Sequence, residues 1–278
     1  MLVFLVLSLT TTSLASEPVP VNLRRPTLDA FDRYVALTDA QDAAEVRDAQ
    51  AFLWVDTLPE ARRSEAYAAM KRGDVVIDKR ETRDHDEPIH CPGGLIHHWV
   101  GSVFIPGATL AQTLTLVEDY AHHTQVYAPY ELRSQVLAHE GGHFKVSFRY
   151  LRKKIITVVL DAVFDIDYHT MDATHAWSRG RTVSVRQIED HDTPQESALP
   201  EGDDGGYLWG MVAYWRFLER DGGTYVQSES VSLTRTVPAA LAWLVDPFIK
   251  EIPRESLDAI LKDTRKGVLH PPTLQAAP

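Results

Sequence analysis

The sequence predicts an α+β protein in which a curved antiparallel sheet wraps around a long C-terminal helix, with a small N-terminal helical cassette in front. Three observations predict it. Residues 134–140, 143–151, 155–169, 175–189, 207–219 and 224–236 are successive β-type segments separated by short turns. The run 108–126, ATLAQTLTLVEDYAHHTQV, switches to helical spacing, with Leu110, Leu114, Val117 and Tyr120 able to share a face. The run 253–269 places Leu257, Ile260, Leu261 and Leu269 near one stripe with charges opposite. A helix with one apolar stripe next to a long run of strands buries that stripe by seating in the sheet's concave face. A bent sheet does not close fully on one cylinder, so a gap between the two is a candidate ligand cavity.

Taken in chain order, residues 1–16 read as a secretory signal, with an apolar run from Leu2 to Leu9 and small residues around Ala15. No Lys or Arg precedes the run, and it is short for a membrane span. The expected location is therefore periplasmic or secreted. Residues 17–93 form the cassette: helical spacing after Pro26 through Phe31, Tyr34, Val35 and Leu37, a second helix from Leu58 to Met70 stopped by Gly73, and a short strand at 75–77. The polar, proline-bearing stretch 83–94 reads as a linker to a main domain over 94–270. That domain opens with the strand LIHHWVGSVFIPG, 95–107. Its final helical region begins at Pro238 and is expected to break at Pro247. Residues 271–278 read as a tail.

One motif points elsewhere. His139, Glu140 and His143 in LAHEGGHFKV spell H-E-x-x-H, which on a helix places two zinc ligands and a base on one face. The residues that follow argue against a helix. Phe144, Val146, Phe148 and Tyr150 alternate with His143, Lys145, Ser147 and Arg149, the period of a half-buried strand. Gly141-Gly142 suits a two-residue hairpin turn, whereas inside a helix the pair costs roughly 2 kcal/mol relative to alanines. A hairpin there sends the two histidines to opposite faces.

Composition narrows the rest. A net charge of −11 argues against a nucleic-acid binder, and the single Cys91 excludes an intramolecular disulfide or a multi-cysteine metal cluster. His97-His98 lie adjacent on a strand and face apart, and His122-His123 close a helix, so no metal site is expected from them. The acidic loop EDHDTPQESALPEGDDGG lacks the ligand spacing of a calcium loop and reads as solvated surface. No nucleophile elbow, phosphate loop, dinucleotide fingerprint or internal repeat is present.

Strand 207–219 carries large apolar side chains on both faces, Trp209, Met211, Trp215 and Phe217 against Leu208, Val212, Tyr214 and Leu218. Both faces must be covered. Arg216 on it and Glu229 on the next strand are charges in apolar surroundings, each needing a partner or a ligand head group. The stretches 94–110, 181–190, 207–235 and 253–265, above all YWRF…DGGTYV before the terminal helix, resemble the START-like, polyketide-cyclase-like helix-grip superfamily, in particular its exported bacterial members. The resemblance covers about residues 94–270. It implies a non-enzymatic binder or carrier of a hydrophobic small molecule or lipid, without cofactor or metal. Tyr214, Trp215, Arg216, Phe217, Tyr225 and Glu229 are the candidate ligand-binding residues. The alternative is a cyclase or hydratase in the same cavity, with Glu229, Tyr214 and Tyr225 as acid or base.

Overall fold

The computed structural model describes residues 21–48, 50–153, 157–236 and 239–271, and of 239–250 the backbone only. The expected signal segment and tail therefore lie outside the described residues, except for Pro271. Helix α1 (Arg25–Arg47) has Pro26 in its first turn and buries one face, Phe31, Tyr34, Val35, Thr38, Asp42 and Val46. A 3₁₀ turn at Trp54–Thr57 and helix α2 (Glu60–Arg72) follow, the latter stopped by Gly73 at φ 98°. Strand β1 (Val76–Lys79) pairs with β2 (Gly94–Pro106). After α3 (Leu110–Val117) and the one-turn α4 (His123–Tyr127) come β3 (Glu131–Glu140), β4 (His143–Lys153), β5 (Thr157–Thr170), β6 (His175–Glu189), β7 (Gly210–Arg220) and β8 (Gly223–Arg235). Helix α5 (Ala239–Leu269) ends the chain.

The strands form one antiparallel sheet in the order β1-β2-β8-β7-β6-β5-β4-β3, with the two-residue strand Ser197–Ala198 added to β6. Helix α5 touches this sheet at widely separated strands. Leu257 and Leu261 pack with Val103, Ile105, Phe217 and Val226, Arg265 Nε donates to the Phe104 carbonyl, and Ser256 meets Arg152 on β4 at 3.2 Å. The sheet thus wraps the helix as expected. No described helix is long and apolar enough to cross a membrane.

Three expectations are corrected. Residues 83–88 are not a linker but a hairpin, with His85 and Asp86 at positive φ in its turn. The segment is tied to α1, since the Thr82 amide donates to Tyr34 and Thr27 Oγ1 donates to the Pro92 carbonyl. With β1 part of the main sheet, the cassette and the helix-grip region share one core. The predicted helix 108–126 is divided into α3, a 3₁₀ turn at Tyr120–His122, and α4. Helix α5 is continuous through Pro247 and Pro253, because loss of one backbone hydrogen bond per proline does not outweigh packing along the helix.

The H-E-x-x-H stretch is a hairpin, with His139 opposite Phe144, Glu140 opposite His143, and Gly141 at φ 58°. His139 stacks on the Phe144 ring at 4.0 Å and bonds the Gly141 carbonyl, while His143 bonds Asp167 at 2.9 Å. The edge strand β3 carries two register irregularities, between Glu131 and Arg133 and between Val136 and Ala138, and exposes Leu132, Val136 and Leu137.

Gly101 is where α5 seats on the sheet. A Cβ there would lie 2.8 Å from Leu261 Cδ1 and 3.0 Å from Ile77 Cγ1. Gly101→Val is expected to lower stability by about 1–3 kcal/mol through overpacking, read from the urea midpoint at unchanged slope.

Candidate functional site

Strand alternation divides the six sequence-predicted residues between two faces. Tyr214, Arg216, Tyr225 and Glu229 face the cassette, whereas Trp215 and Phe217 face α5. They do not form one site.

The cassette face holds a buried set of charges. Arg216, fully buried, donates to Asp42 Oδ1 at 2.6 Å, Glu45 Oε2 at 2.8 Å and the Phe52 carbonyl at 2.8 Å. Glu229 accepts from Arg80 Nη1 at 2.9 Å and lies 2.6 Å from His98 Nε2. Arg80 also reaches Glu45, which closes the network, and His98 Nδ1 contacts the Tyr34 hydroxyl. Tyr214 donates to Asp39, which also receives Arg179. Tyr225 donates to Asp221 at 2.9 Å. Arg216 and Glu229 are therefore not partners of each other. Each is answered from α1 or from the segment after β1.

Burial alone pushes the Glu229 carboxyl up. The His98 hydrogen bond and the Arg80 and Arg216 charges outweigh burial and hold it below the ordinary glutamate value. Burial raises the Asp42 carboxyl despite Arg216. Burial likewise raises Tyr214 and Tyr225, each aided by the carboxylate it bonds. Both hydroxyls are held neutral and already donate, so they are poor proton acceptors.

The opposite face is built differently. Along β8, Thr224, Val226, Ser228, Ser230, Ser232 and Thr234 point toward α5, as Val226 packing with Leu257 and Leu261 requires. Across the neighbouring strands, Ser228 lies between Gly101 and Trp215, and Ser230 between Trp99 and Ala213. Ser232 lies between His97 and Met211. Trp99, Met211, Ala213 and Trp215 stay half-buried. Ser228, Ser230 and Ser232 are 3%, 7% and 7% exposed, and among the described residues their hydroxyls have no hydrogen-bond partner. Their oxygens are not sealed in the core, since the buried orphaned hydroxyls among the described residues are those of Ser102 and Ser134, so the row forms a polar strip on this face. His97 bonds Thr234 at 3.0 Å at the end of the row. The sequence reading passed over these serines. The signal was present in SESVSLT, a hydroxyl at every second position of a strand.

At the far end of the same face, Glu131 is 6% exposed with Oε1 unbonded, 3.6 Å from His123 Nδ1. Tyr127 bonds Thr264 of α5 at 3.0 Å. Outside the gap, a cavity of about 470 Å³ opens between α1 and the 83–88 hairpin, lined by Asp29, Arg33, Asp84, Glu87 and His90. In the acidic loop, His191, Asp192 and Glu196 converge within 4.8 Å, and Glu196 already binds Arg149 at 2.7 Å.

No family model matches the chain, and no curated protein matches it. Solved structures do. The chain is similar to the Zhui aromatase/cyclase from Streptomyces sp. R1128, at 13% identity over 63% of this chain and 94% of that one, TM-score 0.43. It is similar to a STAR-related lipid transfer protein from Xanthomonas axonopodis at 15% identity over 67% and 98%, TM-score 0.42. It is similar to human STARD10 at 9% identity over 78% and 82%, TM-score 0.43. By name these are of the two kinds that the sequence resembles.

Arg216→Met leaves Asp42 and Glu45 facing an apolar side chain and is expected to cost about 3–5 kcal/mol, with Arg216→Met/Asp42→Leu recovering part of it in urea unfolding. Acid sensitivity follows from Glu229. Its folded pKa lies below the ordinary 4.5, so its contribution is complete above that pH and is lost as pH falls through the folded value. Asp42, shifted upward, has the opposite sign and loses its contribution as pH rises. Stability of Glu229→Gln should therefore fall less between pH 6 and pH 3 than that of the unaltered protein.

Proposed function

We propose that this protein binds a hydrophobic small molecule or lipid in the gap between the inner face of the sheet and α5, without catalysing a reaction on it. The observation that carries this reading is the hydroxyl row Ser228, Ser230 and Ser232, without a side-chain hydrogen-bond partner among the described residues and flanked by half-buried Trp99 and Trp215. Apolar ligand surface buried there contributes about 25 cal/mol per Å², less the cost of ordering the ligand. The serines repeat every second residue, roughly 6.7 Å apart. A ligand carrying oxygen functions along one edge would satisfy them, and a plain hydrocarbon would not. The cyclase or hydratase alternative relied on Glu229, Tyr214 and Tyr225, and these are engaged on the other face of the sheet. Export to the periplasm or the medium belongs to the same proposal and rests on the apolar run Leu2–Leu9.

The test is native mass spectrometry of the purified protein together with titration of apolar probes followed by tryptophan emission. Trp99 and Trp215 pack half-buried against the cluster that joins the sheet to α5 and would report binding there. Ser230→Leu, placed opposite Ala213, fills the floor and is expected to weaken probe binding at least tenfold without loss of the folded state. Unchanged binding in Ser230→Leu, or no co-purifying or titratable apolar ligand, would count against the reading.

A further inference from the structure

Where α5 crosses the end of β4, a small cavity of about 80 Å³ is lined by Tyr130, Arg152, Lys153, Ile252, Glu255 and Ser256. Arg152 dominates it chemically. Its Nε donates to Ser256 Oγ at 3.2 Å, and its Nη1 to the carbonyls of Tyr130 at 3.3 Å and Leu151 at 2.9 Å. The guanidinium lies 5.0 Å from the centroid of the Tyr130 ring. Among the described residues it forms no ion pair with a carboxylate, and its Nη2 has no partner. Arg80, Arg149, Arg179 and Arg216 each hold a carboxylate, whereas Arg152, like Arg265, bonds backbone carbonyls. Burial lowers the Arg152 pKa, and the charges of Tyr150, Tyr130 and Glu131 oppose that only in part. Of the nearby acids, Glu255 has an interaction of its own, and Glu131 lies beside His123.

With the Nε hydrogen and both Nη1 hydrogens already donated, the guanidinium keeps its Nη2 hydrogens, which suit an oxygen of a carboxylate or phosphate. The cavity holds a head group and not a chain. Its position against α5, on the strand whose inner face carries Phe144, Val146 and Phe148, puts a head group there at the border of the apolar face.

We propose that Arg152, with Ser256 and Tyr130, is an anion subsite that selects amphiphiles ending in a carboxylate or phosphate over neutral ones. This rests on the binding function proposed above and names the ligand class for the same gap. The charge provides selectivity and the gap provides the apolar affinity, so the two are separable by experiment.

Dodecanoate, dodecyl phosphate, dodecanol and inorganic phosphate are titrated into the full chain and into Arg152→Gln and Arg152→Lys by calorimetry, with circular dichroism as the check on folding. The expected result is that the unaltered protein binds dodecanoate or dodecyl phosphate at least tenfold tighter than dodecanol. Arg152→Gln removes that difference while dodecanol affinity is unchanged, and Arg152→Lys, which keeps the charge and loses the guanidinium's fixed placement, keeps part of it. The stronger of the two anionic probes tells a carboxylate head group from a phosphate. Equal affinity for dodecanol and both anions, or a preference that survives in Arg152→Gln, overturns the subsite and leaves the apolar gap standing. Inorganic phosphate binding as tightly as dodecyl phosphate overturns the amphiphile. Failure of all four probes to bind overturns the binding function itself.

Discussion

The ion-pair network between Arg216 and Glu229 on the sheet and Asp42, Glu45 and Arg80 outside it is the interaction on which the remaining architecture depends. Charges removed from water on a central strand are costly, and they are tolerated only when each finds an opposite charge at hydrogen-bond distance. Here every carboxylate and guanidinium in the set has at least one such partner. The geometry they demand is specific. Helix α1 has to present Asp42 and Glu45 over β7, and Arg80 has to follow β1 at the sheet edge. A different placement of the cassette would leave a buried charge alone, so the network fixes where the cassette lies as much as it holds it there.

This arrangement separates two tasks on one sheet. The outer face is crowded with Tyr214, Arg216, Tyr225, Gln227 and Glu229, all bonded to protein, and Gln227 accepts from the Trp54 amide at 2.6 Å. The inner face of the same two strands offers Ser228, Ser230 and Ala213. The covered outer face carries the ion pairs, and the inner face carries a row of small hydroxyl side chains in their place. The alternation of a β-strand makes the division possible, since neighbouring residues along the chain serve opposite surfaces.

Much of this was legible in the sequence. The strand series, the Gly141-Gly142 hairpin and the terminal amphipathic helix rest on local periodicity, which a single chain displays openly. The two-faced burial of β7 was likewise readable from its continuous large side chains. The partners of Arg216 and Glu229 were not, because Asp42, Glu45 and Arg80 lie far away in the chain and no local period links them. The 83–88 hairpin was hidden by its polar turn: Asp84, His85 and Asp86 look like a linker until Thr82 and Pro92 are seen bonded to α1. Pro247 reads as a break by local rule, whereas the backbone of α5 runs through it as helix. The site residues were chosen for size and charge, which led to the load-carrying face. The serines that line the gap are small and neutral, and only their spacing gives them away.

The irregular edge strand β3 has a consequence for how the molecule behaves in company. Its open backbone groups would offer a template for pairing with another chain, and Leu132, Val136 and Leu137 would make such pairing attractive. The two bulges break the even spacing of those groups and twist the edge, so a second straight strand can match only a few residues before falling out of step. The irregular register thus shields a border that carries exposed apolar side chains, and a substitution that regularised β3 would remove that shield even with the fold left intact.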